Sequence, residues 1–174
     1  NAENSAKACY YLACLYYDKR QYEKAIHLWE KSVSQDDTYS LAHRNLAIAY
    51  YNKENDKEKA LASMEKAFSL DETDVRMFLE LDQLRKKIGY RLEERLGAFE
   101  MYATLVDKRD DLYIEYITLL NMTGQYEEAY GHIMKHHFHP WEGGEGKVTG
   151  QYVLSLLQMA KADMAAGNYA DAKA

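Results

Sequence analysis

The 174 residues predict an all-α protein built as an array of helix pairs. Three observations carry that expectation. A short motif recurs at nearly constant spacing along most of the chain. Apolar residues repeat at helical intervals, and there is one proline among 174 residues, where strand-rich folds use proline and glycine as punctuation. Alanine-rich stretches and 16 tyrosines complete the picture of long, packed helices.

The first pair is read from Cys9, Leu12, Ala13 and Tyr16, followed by Tyr22, Ala25, Trp29 and Ser32. The second is read from His43, Leu46, Ala47 and Tyr50, then Ala60, Met64 and Ala67. Ala13, Ala25, Ala47 and Ala60 let the two helices of a pair approach closely, while Leu, Tyr and Trp fill the seam. The motif Tyr22-Glu23-Lys24-Ala25 returns as Lys57-Glu58-Lys59-Ala60, Leu92-Glu93-Glu94-Arg95, Tyr126-Glu127-Glu128-Ala129 and Tyr169-Ala170-Asp171-Ala172. Positions 25, 60, 95 and 129 are separated by 35, 35 and 34 residues, and the last interval, 129 to 172, is 43. The surplus is expected in a glycine-rich insertion over about 138–150. In the third unit Arg95 replaces the alanine and Asp82 the small residue. Gly89, Gly124 and Gly167 stand where first helices should end, as left-handed C′ residues.

A 34-residue period of helix pairs resembles the tetratricopeptide repeat. The resemblance implies a single domain over 3–174, a right-handed superhelix of about four and a half helix pairs. Its repeats would span about 6–39, 40–74, 75–109, 110–143 and, truncated, 153–174. Over residues 78–152 the strings Glu80-Leu81-Asp82-Gln83-Leu84, Glu94-Arg95-Leu96, Arg109-Asp110-Asp111-Leu112 and His139-Pro140-Trp141-Glu142-Gly143-Gly144-Glu145-Gly146-Lys147-Val148 look like the C-terminal repeats of large bacterial proteins. Those proteins carry an upstream, apparently carbohydrate-related domain. Asn1-Ala2 reads as the remnant of a tag, and Tyr169–Ala174 as a helix that stops after about one turn, so a longer parent is expected.

Composition narrows the function. With 28 acidic and 22 basic side chains the net charge is −6, which disfavours a nucleic-acid partner. No stretch reaches 18 apolar residues, so no membrane partner is expected. Cys9 and Cys14 lie five apart on one helix and diverge by roughly 140°, which fits free thiols in a reducing, cytoplasmic setting.

Candidate chemistry reduces to little. Gly143-Gly144-Glu145-Gly146-Lys147 is not a phosphate loop, because Trp141 and Val148 hold the positions of the required glycine and hydroxyl. His132 and His136, four apart, would share a helical face near His137 and His139, but Ile133 occupies the general-base position of a zinc-hydrolase motif, and no metal is expected. The pairs Asp36/Asp37, Asp110/Asp111 and Glu127/Glu128 are assigned to helix starts or exposed second-helix faces. No nucleophile motif surrounds Cys14, so the chain is read as non-catalytic, with no cofactor.

What remains is a binding surface. The family's groove-facing offsets select Tyr10, Cys14 and Tyr17 in the first unit, Arg44, Ile48 and Tyr51 in the second, and Ile114, Thr118 and Asn121 in the fourth. Tyrosine and arginine suit such a role, offering large contact area with a polar handle. Chaperone-adaptor members of this family clamp a peptide carboxylate through Lys and Asn in the first unit. Tyr10 and Cys14 stand there instead, leaving Asn45 and Arg44 as partial substitutes. The insertion adds Trp141, Glu142 and Lys147 as contact residues. The expected role is a protein-interaction or intramolecular scaffold module, whose partner is a protein, a peptide or another domain of the parent. The alternative is an accessory part of a carbohydrate-active enzyme, with Trp141 stacked on a sugar ring and Glu142 or Lys147 making polar contacts.

Overall fold

The computed structural model describes residues 5–140, 144–168 and 172. Among them are ten α-helices and no strand: α1 (Ala6–Asp18), α2 (Tyr22–Gln35), α3 (Ser40–Ala49), α4 (Lys57–Leu70), α5 (Val75–Ile88), α6 (Leu92–Met101), α7 (Ala103–Val106), α8 (Asp110–Met122), α9 (Tyr126–Lys135) and α10 (Lys147–Ala166). A π-helical turn, Tyr50–Glu54, prolongs α3. The helices fall into two compact units, Asn1–Gly89 and Tyr90–Ala174. The expected third repeat, 75–109, thus has α5 in the first unit and α6 in the second.

In the first unit α1 packs on α2, and α3 on α4, through alanines that are fully buried at positions 13, 25 and 60. A side chain no larger than a methyl lets the helix backbones close up, and Trp29, Ile26, Met64 and Phe68 fill the rest. The buried Ser32 hydroxyl is satisfied by donating to the Ala6 carbonyl at 2.7 Å, which ties α2 to the start of α1. Turns between pairs reuse one device. Asp36 accepts from the backbone N–H and hydroxyl of Thr38, and Asp71 does the same with Thr73, 35 residues later. Asp36 therefore shapes a turn after α2, rather than starting a helix or lining an exposed face.

The glycine stops are found as expected: Gly89, Gly124 and Gly167 have φ of 87°, 84° and 79°. The first two pairs reach the same left-handed geometry without glycine, at Arg20 (φ 60°) and Asn55 (φ 53°).

In the second unit α8 is the centre. Leu112, Ile117, Leu119 and Leu120 are fully buried, with α6, α9 and α10 packed around them. The helix is interrupted at Tyr102, between α6 and α7. Asn121 and Ser155 form a buried bridge: Ser155 Oγ donates to Asn121 Oδ1 at 2.9 Å, and Asn121 Nδ2 donates to Gln151 Oε1 at 2.9 Å. This network seats α10 on α8. It also takes Asn121 out of the groove-facing set, and Ile114 is buried as well. Thr118 turns its hydroxyl back to the Ile114 carbonyl.

The insertion differs from expectation. Residues 147–150 are the first turn of α10, which is 20 residues long and follows a left-handed Gly146. Much of the longer last interval is therefore taken up as helix rather than loop. Gly150 costs a helix only about 1 kcal/mol, which the continuous hydrogen-bond ladder and the packed face offset. Beyond its packed face, α10 leaves Val153, Leu156, Leu157 and Met164 exposed.

Candidate functional site

Six sequence-selected residues come together in the first unit. Tyr10, Cys14 and Tyr17 lie on one face of α1 at helical intervals; Arg44, Ile48 and Tyr51 do so on α3 and its π-helical turn. Asn45 joins the two rows, its Nδ2 donating to Tyr10 Oη at 3.3 Å and lying 3.7 Å from Cys14 Sγ. Burial, together with the adjacent Cys14, pushes the Tyr10 phenol above its ordinary pKa, so it stays neutral in physiological buffer. Tyr10 meets Tyr39 edge-on at 4.9 Å, and Tyr17 leans on the buried Trp29 at 5.4 Å. Burial first, then Tyr11 and Tyr10, push the Tyr39 phenol up to about 12.

Two clefts open on this face and share Ile48. One, of about 180 Å³, is lined by Cys14, Tyr17, Asp18, Trp29, Asn45 and Ile48. The other, of about 220 Å³, includes Ile48, Tyr51, Asn52, Gln83, Leu84 and Lys87 in its wall. The α5 residues were missed in the sequence. They follow from carrying the 35-residue interval strictly, which aligns Tyr10 with Asn45 and Glu80, and Tyr17 with Asn52 and Lys87.

Arg44 is closed by Glu80, whose two carboxylate oxygens accept from Arg44 Nε and Nη2; Arg76 Nε adds a third contact at 3.0 Å. Burial alone would raise the Glu80 pKa, but Arg44 and Arg76 outweigh it and hold the carboxyl below its ordinary value. A carboxyl depressed in the folded state contributes stability above its unfolded pKa, about 4.3, and loses it as pH falls through the folded value. Glu80→Gln should therefore flatten the acid side of a urea-midpoint-against-pH curve below about pH 5. A variant curve parallel to wild type across that range would rule this linkage out.

Cys14 Sγ has the Asn45 amide and the Tyr10 phenol as polar neighbours. Among the described residues no set of three or more His, Cys, Asp or Glu is arranged to hold a metal ion.

The histidines are not one helical row. α9 ends at Lys135, and His136 is extended (φ −86°, ψ 137°). His132 Nδ1 lies 2.8 Å from Tyr113 Oη, while the His136 ring stacks on Tyr113 at 3.7 Å and its Nε2 lies 2.8 Å from Asp110 Oδ1. The His139 backbone N–H donates to the other oxygen of Asp110 at 2.6 Å. These contacts fasten the segment after α9 to the start of α8. Lys147, expected in the loop, is the exposed first residue of α10. Trp141 and Glu142 lie outside the described residues.

Residues 6–39, the first helix pair and the turn after it, match the tetratricopeptide repeat. Solved structures share the fold along most of the chain. YrrB, described as a TPR protein with an unusual peptide-binding site, is 17% identical, with 97% of this chain and 81% of that one covered at a TM-score of 0.66. MamA is 15% identical, with coverage of 96% and 85% and a TM-score of 0.62. The first TPR of Spaghetti (RPAP3), bound to the HSP90 peptide SRMEEVD, is 17% identical, with coverage of 71% and 96% and a TM-score of 0.57. The fold is thus the all-α tetratricopeptide-repeat fold, and the match over 6–39 supports that family.

Proposed function

We propose that the chain is a non-catalytic protein-interaction module whose first unit binds a protein segment across α1, α3 and α5. The observation that supports this most directly is the pair of clefts meeting at Ile48, walled by Tyr17 and Tyr51, with Asn45 in the smaller one bonded to the Tyr10 phenol. Such a face offers apolar depth with hydrogen-bonding rims, the usual composition of a contact core. Two of the similar folds, YrrB and the RPAP3 repeat, are peptide binders by description.

A C-terminal carboxylate is a poor ligand for this face. Arg44 is engaged by Glu80, and Asn45 Nδ2 by Tyr10, so capture would first break those bonds. The ligand is then an internal segment, from a separate protein or from another part of the parent chain.

The test is selection of peptides from a random display library on the wild-type chain, followed by titration against Ile48→Asp. Peptides should weaken at least about tenfold with the variant, because a carboxylate is placed in the shared wall of both clefts. Far-ultraviolet circular dichroism checks that the half-buried position tolerates the change. Selected peptides that bind the folded variant as tightly as wild type would overturn the assignment.

A further inference from the structure

We infer that the face takes an internal segment with two acidic residues about five positions apart and an apolar side chain between them. This deepens the proposed function and rests on its assignment of the α1, α3 and α5 face.

The inference comes from the row that α5 presents. Glu80, Gln83 and Lys87 follow one another at intervals of three and four, and all three line the larger cleft. Arg76, one turn earlier, bonds to Glu80. At one end of the row, Arg44 and Arg76 share the carboxylate of Glu80, and Asp74, the N-cap of α5, also acts on Arg44. Arg76 is the outer cation, with its side chain 69% exposed. At the other end Lys87 is exposed and sits over the Tyr51 ring, 5.6 Å from its centroid, where the ring face positions it without neutralising it. Between the two cations lies the apolar part of the cleft, Ile48 and Leu84. Of the other carboxylates, Asp18 lines the other cleft, and Asp74 is tied to the backbone N–H groups of Arg76 and Met77 at the start of α5.

Spacing then fixes the ligand. Arg76 and Lys87 are eleven positions apart on one helix, roughly 16 Å along its axis. An extended segment advances about 3.3 Å per residue, so five steps span the same distance. A carboxylate at each end meets a cation, and an apolar residue between them faces Ile48 and Leu84. The two cations at the ends of the row thus set the docking register of such a segment.

The test uses three blocked six-residue peptides carrying a fluorophore. The first has Asp at positions one and six and Leu at four; the second has Lys in place of both Asp; the third has Ser in place of Leu. Anisotropy titrations at low and high salt are run with wild type and with Arg76→Glu/Lys87→Glu. The acidic peptide should bind wild type about tenfold tighter than the lysine peptide at low salt, with the gap closing at high salt. The doubly reversed variant should prefer the lysine peptide, and the serine peptide should bind weakly to both. Both substituted side chains are exposed, so the fold should persist, which circular dichroism confirms.

Equal affinity for the acidic and lysine peptides, with binding still lost in Ile48→Asp, would overturn the charge inference and leave the groove standing. No binding of any of the three, with library-selected peptides indifferent to Ile48→Asp, would overturn the groove reading itself. Preference for the acidic peptide that survives in the doubly reversed variant would place the cations elsewhere and sink the inference.

Discussion

Arg95→Ala should destabilise the second unit by about 3–5 kcal/mol, although it restores the residue that the repeat uses elsewhere. Ala25, Ala60 and Ala129 occupy the same position and are fully buried, each meeting a neighbouring helix at close range. Arg95 is as deeply placed, at 3% exposure, and donates from Nη2 to Glu115 Oε1 on α8 at 2.7 Å. Removing the guanidinium leaves Glu115, only 21% exposed, without this bond, and a void where the arginine stem packed. The gain in helix propensity, a few tenths of a kcal/mol at most, is too small to compensate. Urea melts followed by circular dichroism measure the loss. Arg95→Met/Glu115→Gln should recover most of it, because exchanging a buried ion pair for groups of similar volume is often close to neutral. Wild-type stability in Arg95→Ala would mean that the pair contributes nothing, and that the third repeat tolerates its usual alanine.

The same position shows what the sequence could reveal and what it could not. A motif recurring at 25, 60, 95 and 129 exposes helix pairs, because a buried small residue is needed at every crossing and its spacing is that of the unit. Its loss at Arg95 is visible too, but the compensating Glu115 lies on another helix, and no local pattern joins them. The site was readable to the extent that it obeys the repeat. Tyr10, Cys14, Tyr17, Ile48 and Tyr51 follow helical spacing, whereas Asn45 and the α5 row require the 35-residue interval to be carried through without slipping by one. The paired turns at Asp36/Thr38 and Asp71/Thr73 carry that interval and could have fixed the register. Two features were hidden for energetic reasons. Glycines around 146–150 suggest a loop, yet a helix with a well-packed face absorbs Gly150. His132 and His136 are four apart, yet α9 stops between them, where Asp110 and Tyr113 offer His136 a hydrogen-bond partner and a stacking surface outside the helix.

At Trp29 two substitutions should diverge sharply. Trp29→Ala is expected to cost about 3–5 kcal/mol, since the indole is 3% exposed and supports Tyr17 from beneath. Trp29→Phe should cost less than about 1.5 kcal/mol, although it also removes ring volume. The difference lies in the indole N–H. Nε1 is buried with no hydrogen-bond partner, and an unsatisfied buried donor carries a penalty of about 1–3 kcal/mol that phenylalanine does not. The packing lost and the donor removed therefore offset one another in Phe, whereas Ala discards the packing altogether. Because Trp29 also walls the smaller cleft beside Ile48, the two variants separate stability from binding. Trp29→Phe should keep the affinity of a selected peptide within about threefold, whereas Trp29→Ala lets Tyr17 fall inward and should weaken it by about tenfold or more. If Phe proves as costly as Ala in urea melts, the buried N–H carries no penalty to be relieved, and the packing of the indole alone sets the cost at this position.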